Sequence, residues 1–147
     1  MEVGHEMELQ QLVYTSLMKT KNTALAADID EIIESSQSKN EESAISGCLM
    51  ISGQRVVQFL EGPTSAVSEL YQKISVDQRH EEVIELYRGR SAKREAGEWP
   101  MALCNLQQET TETKELQEFF NTSLSTFKFH ADGFRMLMRN YLFENRH

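Results

Sequence analysis

A carboxamide stands where an aliphatic side chain is expected. The run Val56-Val57-Gln58-Phe59-Leu60 is otherwise apolar, and alternation along a strand places Val56, Gln58 and Leu60 on one face. A buried amide without a partner costs about 1–3 kcal/mol, so Gln58 requires one. Tyr14, in the run Leu12-Val13-Tyr14-Thr15-Ser16, supplies a hydroxyl that can donate to an amide or accept from it, if its strand lies beside that of Gln58. Spacing leaves two readings open. One is a Tyr–Gln hydrogen bond internal to a core; the other is a pair of polar groups facing a pocket that holds a polar ligand. Asn40 is either a helix C-cap or a second amide reaching the same cleft. Arg79 and His80 either complement the negative end of a helix dipole or face that ligand.

The elements that must position these groups follow from periodicity. Residues 9–15 form a first strand, with Leu12 and Tyr14 on one face. Asn22 and Thr23 have the chemistry of N-caps. Leu25, Ile29, Ile32 and Ile33 then mark the apolar stripe of a helix that ends near Lys39 or Asn40. Residues 44–51 and 55–61 read as a hairpin around Ser52-Gly53-Gln54. Gly62-Pro63-Thr64 opens a second helix, striped by Val67, Leu70, Tyr71 and Ile74 and closed by Arg79 and His80. Strands are predicted over 83–88 and 99–106, the latter holding Trp99 and Met101, where a Trp ordinarily packs in a core. Two amphipathic helices follow: Leu116, Phe119, Phe120, Leu124 and Phe127 line the first, and Phe134, Leu137, Met138, Tyr141 and Leu142 the second.

The order predicts an α+β, ferredoxin-like βαββαβ fold with a fifth strand and two C-terminal helices. Right-handed crossovers put both early helices on one face and make strands one and three central neighbours. Three parts are expected: a tail over 1–8, a domain over 9–106 and a helical extension over 107–147. The extension is expected to cap the outer face of the sheet.

Twenty-three acidic against fifteen basic side chains give a net charge of −8. That balance argues against binding nucleic acid or anionic lipid, which needs clustered Lys and Arg. No apolar run reaches the roughly 18 residues of a membrane span. Cys48 and Cys104 each sit in an apolar run without a metal-ligand neighbour. They read as buried, inert thiols of a reducing cytoplasm.

Five stretches in order resemble the BLUF family of flavin-binding blue-light sensors. They are Leu12-Val13-Tyr14-Thr15-Ser16; Asn40 leading to Ile45-Ser46-Gly47-Cys48-Leu49; Gln58-Phe59-Leu60-Glu61-Gly62; Asp77-Gln78-Arg79-His80; and Trp99-Pro100-Met101. Three positions depart from the usual pattern. Val56 and Val57 stand where an aromatic often precedes the Gln, Ala96 where a Phe commonly precedes the Trp, and Lys39 where Asn or Arg is frequent. The resemblance implies a flavin between the two early helices, FAD by expectation, with FMN or riboflavin as alternatives. Asn40 would bond the C4 carbonyl side of the ring, and Ile32 and Ser36 would line it. Lys73, Arg79 and His80 would flank it, the cations also meeting the phosphate side. Tyr14 and Gln58 would form the photoactive switch, and Trp99 or Met101 would pass the signal outward.

The resemblance implies a sensor and no enzyme. Nothing after Leu106 has the length or motifs of a catalytic effector, so output through a separate signalling protein is expected. The sensor itself is expected to be a homo-oligomer, a dimer or larger. Two other classes remain: an acylphosphatase-type hydrolase with Asn40 and Arg79 handling phosphate, and a plain protein-interaction module without flavin.

Overall fold

A computed structural model of the chain describes residues 8–97, 99–126 and 128–144, without the side chain of Leu124. Most of the predicted tail (1–7), the Leu124 side chain and Phe127 therefore lie outside the described residues. The elements run β1 (Leu9–Met18), α1 (Asn22–Glu42), β2 (Ser46–Ser52), β3 (Arg55–Gly62), α2 (Thr64–Ser75), β4 (His80–Ser91), β5 (Ala102–Asn105), α3 (Thr111–Thr126) and α4 (Ala131–Glu144). The sheet order is β4-β1-β3-β2-β5. Strands β1 to β4 pair antiparallel, and β5 joins β2 in parallel. This is the predicted ferredoxin-like α+β arrangement, and its central register sets Tyr14 directly opposite Gln58. The β2–β3 turn needs Gly53, whose φ of 59° lies in the left-handed region.

Both faces of the sheet are covered, which explains why its central strands read as nearly continuous apolar runs. Leu12, Tyr14, Leu49, Val56 and Leu60 face one way and pack against Ile29 of α1 and Val67 of α2. Val13, Cys48, Met50, Val57 and Phe59 face the other way, toward Leu116, Phe120, Phe134 and Met138 of α3 and α4. The C-terminal helices thus cap the outer face, as expected. Both cysteines are buried free thiols; burial pushes the Cys48 thiol well up and the Cys104 thiol to about 12, so neither presents a thiolate at neutral pH.

Several boundaries differ from the predicted ones, for identifiable reasons. Strand β1 runs on to Met18 because Leu17 and Met18 pair with Glu81 and His80. That pairing starts β4 at His80, so Arg79 and His80 belong to the turn and strand after α2, which ends at Ser75. The expected N-caps are not used: Lys21 occupies that position without a side-chain cap, and Asn22 has a φ of 55°. Asn40 lies within α1, two residues before its end, and is not its C-cap. Trp99 and Met101 precede β5 instead of lying in it. Pro100 has no N–H for a ladder, and the Pro100 and Met101 carbonyls accept from Asn40 and Gln37 instead.

The outer layer centres on Phe134, which is 1% exposed and has the rings of Phe59, Phe119, Phe120 and Phe129 at 5.4–6.1 Å. Phe134→Ala should lower unfolding stability by about 3–5 kcal/mol in urea titrations. A loss under about 1 kcal/mol would show that α3 and α4 do not fold cooperatively with the sheet.

Candidate functional site

Between α1, α2 and the sheet lies a cavity of about 270 Å³, near the lower end of the usual ~300–1,000 Å³ for small-molecule sites. Its floor comes from alternate residues of the central strands: Tyr14 from β1, Leu49 from β2, Val56 and Gln58 from β3. Ile32, Ser36 and Asn40 line it from α1, four residues apart and hence on one helix face. Lys73 of α2, then Arg79 and His80, close the other side.

Two polar side chains anchor the floor. Tyr14 and Gln58 are 3% and 2% exposed, and the Tyr14 hydroxyl donates to Gln58 Oε1 at 2.5 Å. That bond fixes the amide, so Nε2 points away, with Met101 Sδ at 3.3 Å as its acceptor. A thioether is a weak acceptor. Among the described residues it is the one acceptor for a buried group with two N–H donors, which leaves capacity for a ligand carbonyl or ring nitrogen. Burial, with smaller contributions from Tyr71 and Asp77, raises the Tyr14 phenol far above its ordinary value of 10.0. The phenol is therefore neutral, and it can donate throughout the physiological range.

The segment that brings in Met101 is held by α1 and β2. Asn40 Nδ2 donates to the Pro100 carbonyl at 2.8 Å, and Gln37 Nε2 to the Met101 carbonyl at 3.2 Å. The Gly47 N–H donates to the Trp99 carbonyl at 2.9 Å. A Cβ on Gly47 would lie 2.3 Å from the Phe59 carbonyl oxygen and 3.2 Å from the Met101 methyl; only glycine fits there. Trp99 packs on the outer face, against the cluster under α3 and α4. Of the two residues predicted on the outward path, Met101 meets Gln58 and Trp99 does not.

The cationic side is more committed than the sequence suggests. Arg79 forks onto Asp77, with Nη2 donating at 2.6 Å, and Nη1 reaches Glu31 of α1 at 3.1 Å. Hydrogen bonding to Arg79 holds the Asp77 carboxyl below its usual range. His80 Nε2 lies 2.6 Å from the Ile74 carbonyl, which can only accept, so this nitrogen is protonated and Nδ1 faces Ser16 Oγ at 2.8 Å. The imidazole stands edge-on to Tyr14 at 6.3 Å. Lys39 and Lys73 form no ion pair among the described residues, and both line the cavity.

Sequence reasoning missed Ser35, Lys39, Glu69 and Asp77 as lining residues. Ser35 and Glu69 adjoin the helical stripes without belonging to them, so apolar periodicity passes over them. It also missed Gln37 and Glu61, although Glu61 is a polar residue in the same buried strand as Gln58. The residues present fit a flavin. A donor-rich floor, an apolar lining of Ile29, Ile32, Leu49 and Leu70, and lysines at the edge suit a planar heterocycle with a polar rim and an anionic tail. The hydrolase reading gains no support, because Asn40 and Arg79 are engaged by Pro100, Asp77 and Glu31.

Comparison with known proteins gives a consistent result. Residues 9–102 match the family model described as "BLUF: Sensors of blue-light using FAD". A Euglena gracilis protein, photoactivated adenylate cyclase subunit alpha-like protein FB, is 38% identical over 66% of this chain and 9% of its own length. The blue light- and temperature-regulated antirepressor BluF of Escherichia coli K12 is 28% identical over 84% of this chain and 30% of its own. The chain thus spans less than a third of either relative. The dark-state structure of BlrB, a BLUF protein, superposes with a TM-score of 0.77 at 26% identity, covering 92% of this chain and 98% of that one.

Burial raises the phenols of Tyr14, Tyr71 and Tyr141 alike. A group whose folded pKa is raised contributes stability that is whole below its unfolded value, near 10, and is lost as pH rises beyond it. The buried thiols of Cys48 and Cys104 are raised too and follow the same rule from their unfolded value of about 8.5, so unfolding stability should begin to fall above pH ~8.5 and fall more steeply above pH ~10. Tyr14→Phe should fall less steeply in paired urea titrations; equal slopes would place the Tyr14 phenol in water.

Proposed function

The chain belongs to the BLUF family and is a flavin-based blue-light sensor, and we propose that Tyr14, Gln58 and Met101 form its hydrogen-bond switch. The carrying observation is the buried chain Tyr14 Oη–H to Gln58 Oε1, with Gln58 Nε2–H to Met101 Sδ. Ile32, Ser36 and Asn40 would hold the flavin from α1, and Lys73, Arg79 and His80 from the other side. FAD is the proposed form, supported by the family description and by lysines beside the cavity; FMN or riboflavin would use the same floor.

When bound, the flavin supplies blue-light absorption and, once excited, a strong one-electron oxidant. Tyr14 suits reversible donation: it is neutral, beside the cavity, and its proton already points at an acceptor that can hold it transiently. Loss of an electron makes the phenolic proton strongly acidic, and Gln58 Oε1, at 2.5 Å, is its acceptor. Return of both restores the phenol. Gln58 need not return to its starting arrangement, because a carboxamide presents donor and acceptor on nearly isosteric ends. Rotation or tautomerisation reverses the pattern it offers the cavity without changing shape. Met101 accepts weakly and is unbranched, so its loss as a partner costs little. Two arrangements a few kcal/mol apart are what a light-driven switch needs.

Output remains part of the proposal. BLUF domains sense light without themselves being catalytic, and we take this chain to act on a separate partner protein and to self-associate. Exposed apolar side chains on α4 and β5, namely Met136, Phe143 and Leu103, support such contacts. Trp99 lies beside Phe143, lining one cleft with it. A cytoplasmic location fits a chain in which, among the described residues, no helix is long and apolar enough to cross a membrane.

Purified protein should be yellow, and its flavin absorption should move slightly to the red under blue light and recover in the dark. Tyr14→Phe and Gln58→Ala should each retain flavin and lose at least about nine-tenths of the reversible shift. A normal photocycle in either variant would contradict the roles assigned here.

A further inference from the structure

Glu61 lies outside the cavity wall, yet it is fully buried on β3, across from Ser46 of β2. Its Oε1 accepts the Glu95 N–H at 2.8 Å; its Oε2 accepts the Ala96 N–H at 2.6 Å and the Ser46 hydroxyl at 2.8 Å. Ser46 Oγ in turn accepts from Arg94 Nη1 at 2.8 Å, which commits its own proton to Glu61. Arg94 Nη2 reaches the Ala44 carbonyl at 2.6 Å. Three donors converge, so only an acceptor-only group satisfies them. A buried carboxylate lacking them would be strongly destabilising.

The clamp continues directly into the switch. The Ala96 carbonyl accepts the Trp99 N–H at 3.0 Å, and the Trp99 carbonyl accepts from Gly47. The next two carbonyls accept from Asn40 and Gln37, and the Met101 sulfur accepts from Gln58. The described residues of this segment, 95–97 and 99–101, are therefore fixed to one strand at both ends, to Glu61 at the start and to Gln58 at the finish.

We propose that Glu61 is a positioning residue of the photoswitch: by clamping residues 95 and 96 it sets the placement of Met101 against Gln58, and so the lifetime of the lit state. The proposal rests on the switch reading above. A fixed segment holds the thioether ready to recapture the amide and favours the dark arrangement. A loosened one lets Met101 stay away, and return slows.

The test uses the flavin-loaded chain and its Glu61→Gln variant. Glutamine offers one acceptor oxygen and an NH₂ group to three donors, so at least one backbone N–H loses its partner. Flavin content and the size of the red shift should be kept, dark recovery should slow about fivefold or more, and dark amide exchange at Glu95 and Ala96 should accelerate about tenfold or more. Glu95→Ala, which removes the Arg139 contact (2.8 Å) but neither backbone donor, should recover within about twofold of the parent. If Glu61→Gln does not fold, Ser46→Ala removes one donor and should slow recovery about twofold to threefold. Faster exchange with unchanged recovery overturns the inference, and so does unchanged exchange. A parent chain with slow exchange at 95 and 96 but no light shift overturns the switch reading, and this inference falls with it.

Discussion

An amide buried in an apolar layer must satisfy a donor and an acceptor at once, and its two ends differ only in which atom does which. Gln58 meets that demand with a strong partner on one side and a weak one on the other: a phenol donating to its oxygen and a thioether accepting from its nitrogen. The strong partner fixes the resting orientation. In the proposed switch, the weak one would leave room for a better acceptor and make the reversed orientation accessible. Much of the architecture serves this inequality. The β1–β3 register sets the phenol opposite the amide, Gly47 clears space for the Met101 methyl, and Asn40 and Gln37 draw the Met101 segment toward α1.

The sheet gives this local event two separate faces. Tyr14, Gln58 and Met101 face α1 and α2, whereas Ala96 and Trp99, a few residues earlier, belong to the layer beneath α3 and α4. Ala96 and Trp99 thus lie in one layer and Met101 in the other, and the Glu95 carboxylate meets Arg139 of α4 at 2.8 Å. A shift at Met101 has a covalent route to the outer helices. If the proposed switch signals through α4, linkage makes that coupling reciprocal: a partner bound to α4 would bias the switch as strongly as the switch biases α4.

What the sequence revealed, and what it hid, has a physical pattern. Gln58 was legible because a carboxamide among aliphatics contradicts its surroundings, and Tyr14 because the βαββαβ order makes its strand the neighbour. Asn40, Arg79 and His80 each had an ordinary helix-end explanation beside the cleft reading, and the family resemblance favoured the cleft; Lys73 came from the resemblance alone. Trp99 and Met101 were misplaced into β5 because alternation ignores where carbonyls go, and the Asn40 and Gln37 amides divert them. Arg79 and His80 were assigned to a helix end because periodicity does not register that Met18 pairs with His80. Glu61 met the criterion that found Gln58, but its partners are backbone N–H groups some thirty-five residues away, and no side-chain pattern announces those.

The most direct measurement is a light-minus-dark infrared difference spectrum of the flavin-loaded chain carrying isotope-labelled glutamine side chains. If Gln58 exchanges its hydrogen-bonding roles, a labelled carboxamide band must shift on illumination and return with the visible absorption, and Gln58→Ala must abolish it. Labelled bands that stay fixed while the flavin absorption moves would show that the amide is a bystander, and the account built on it would fail.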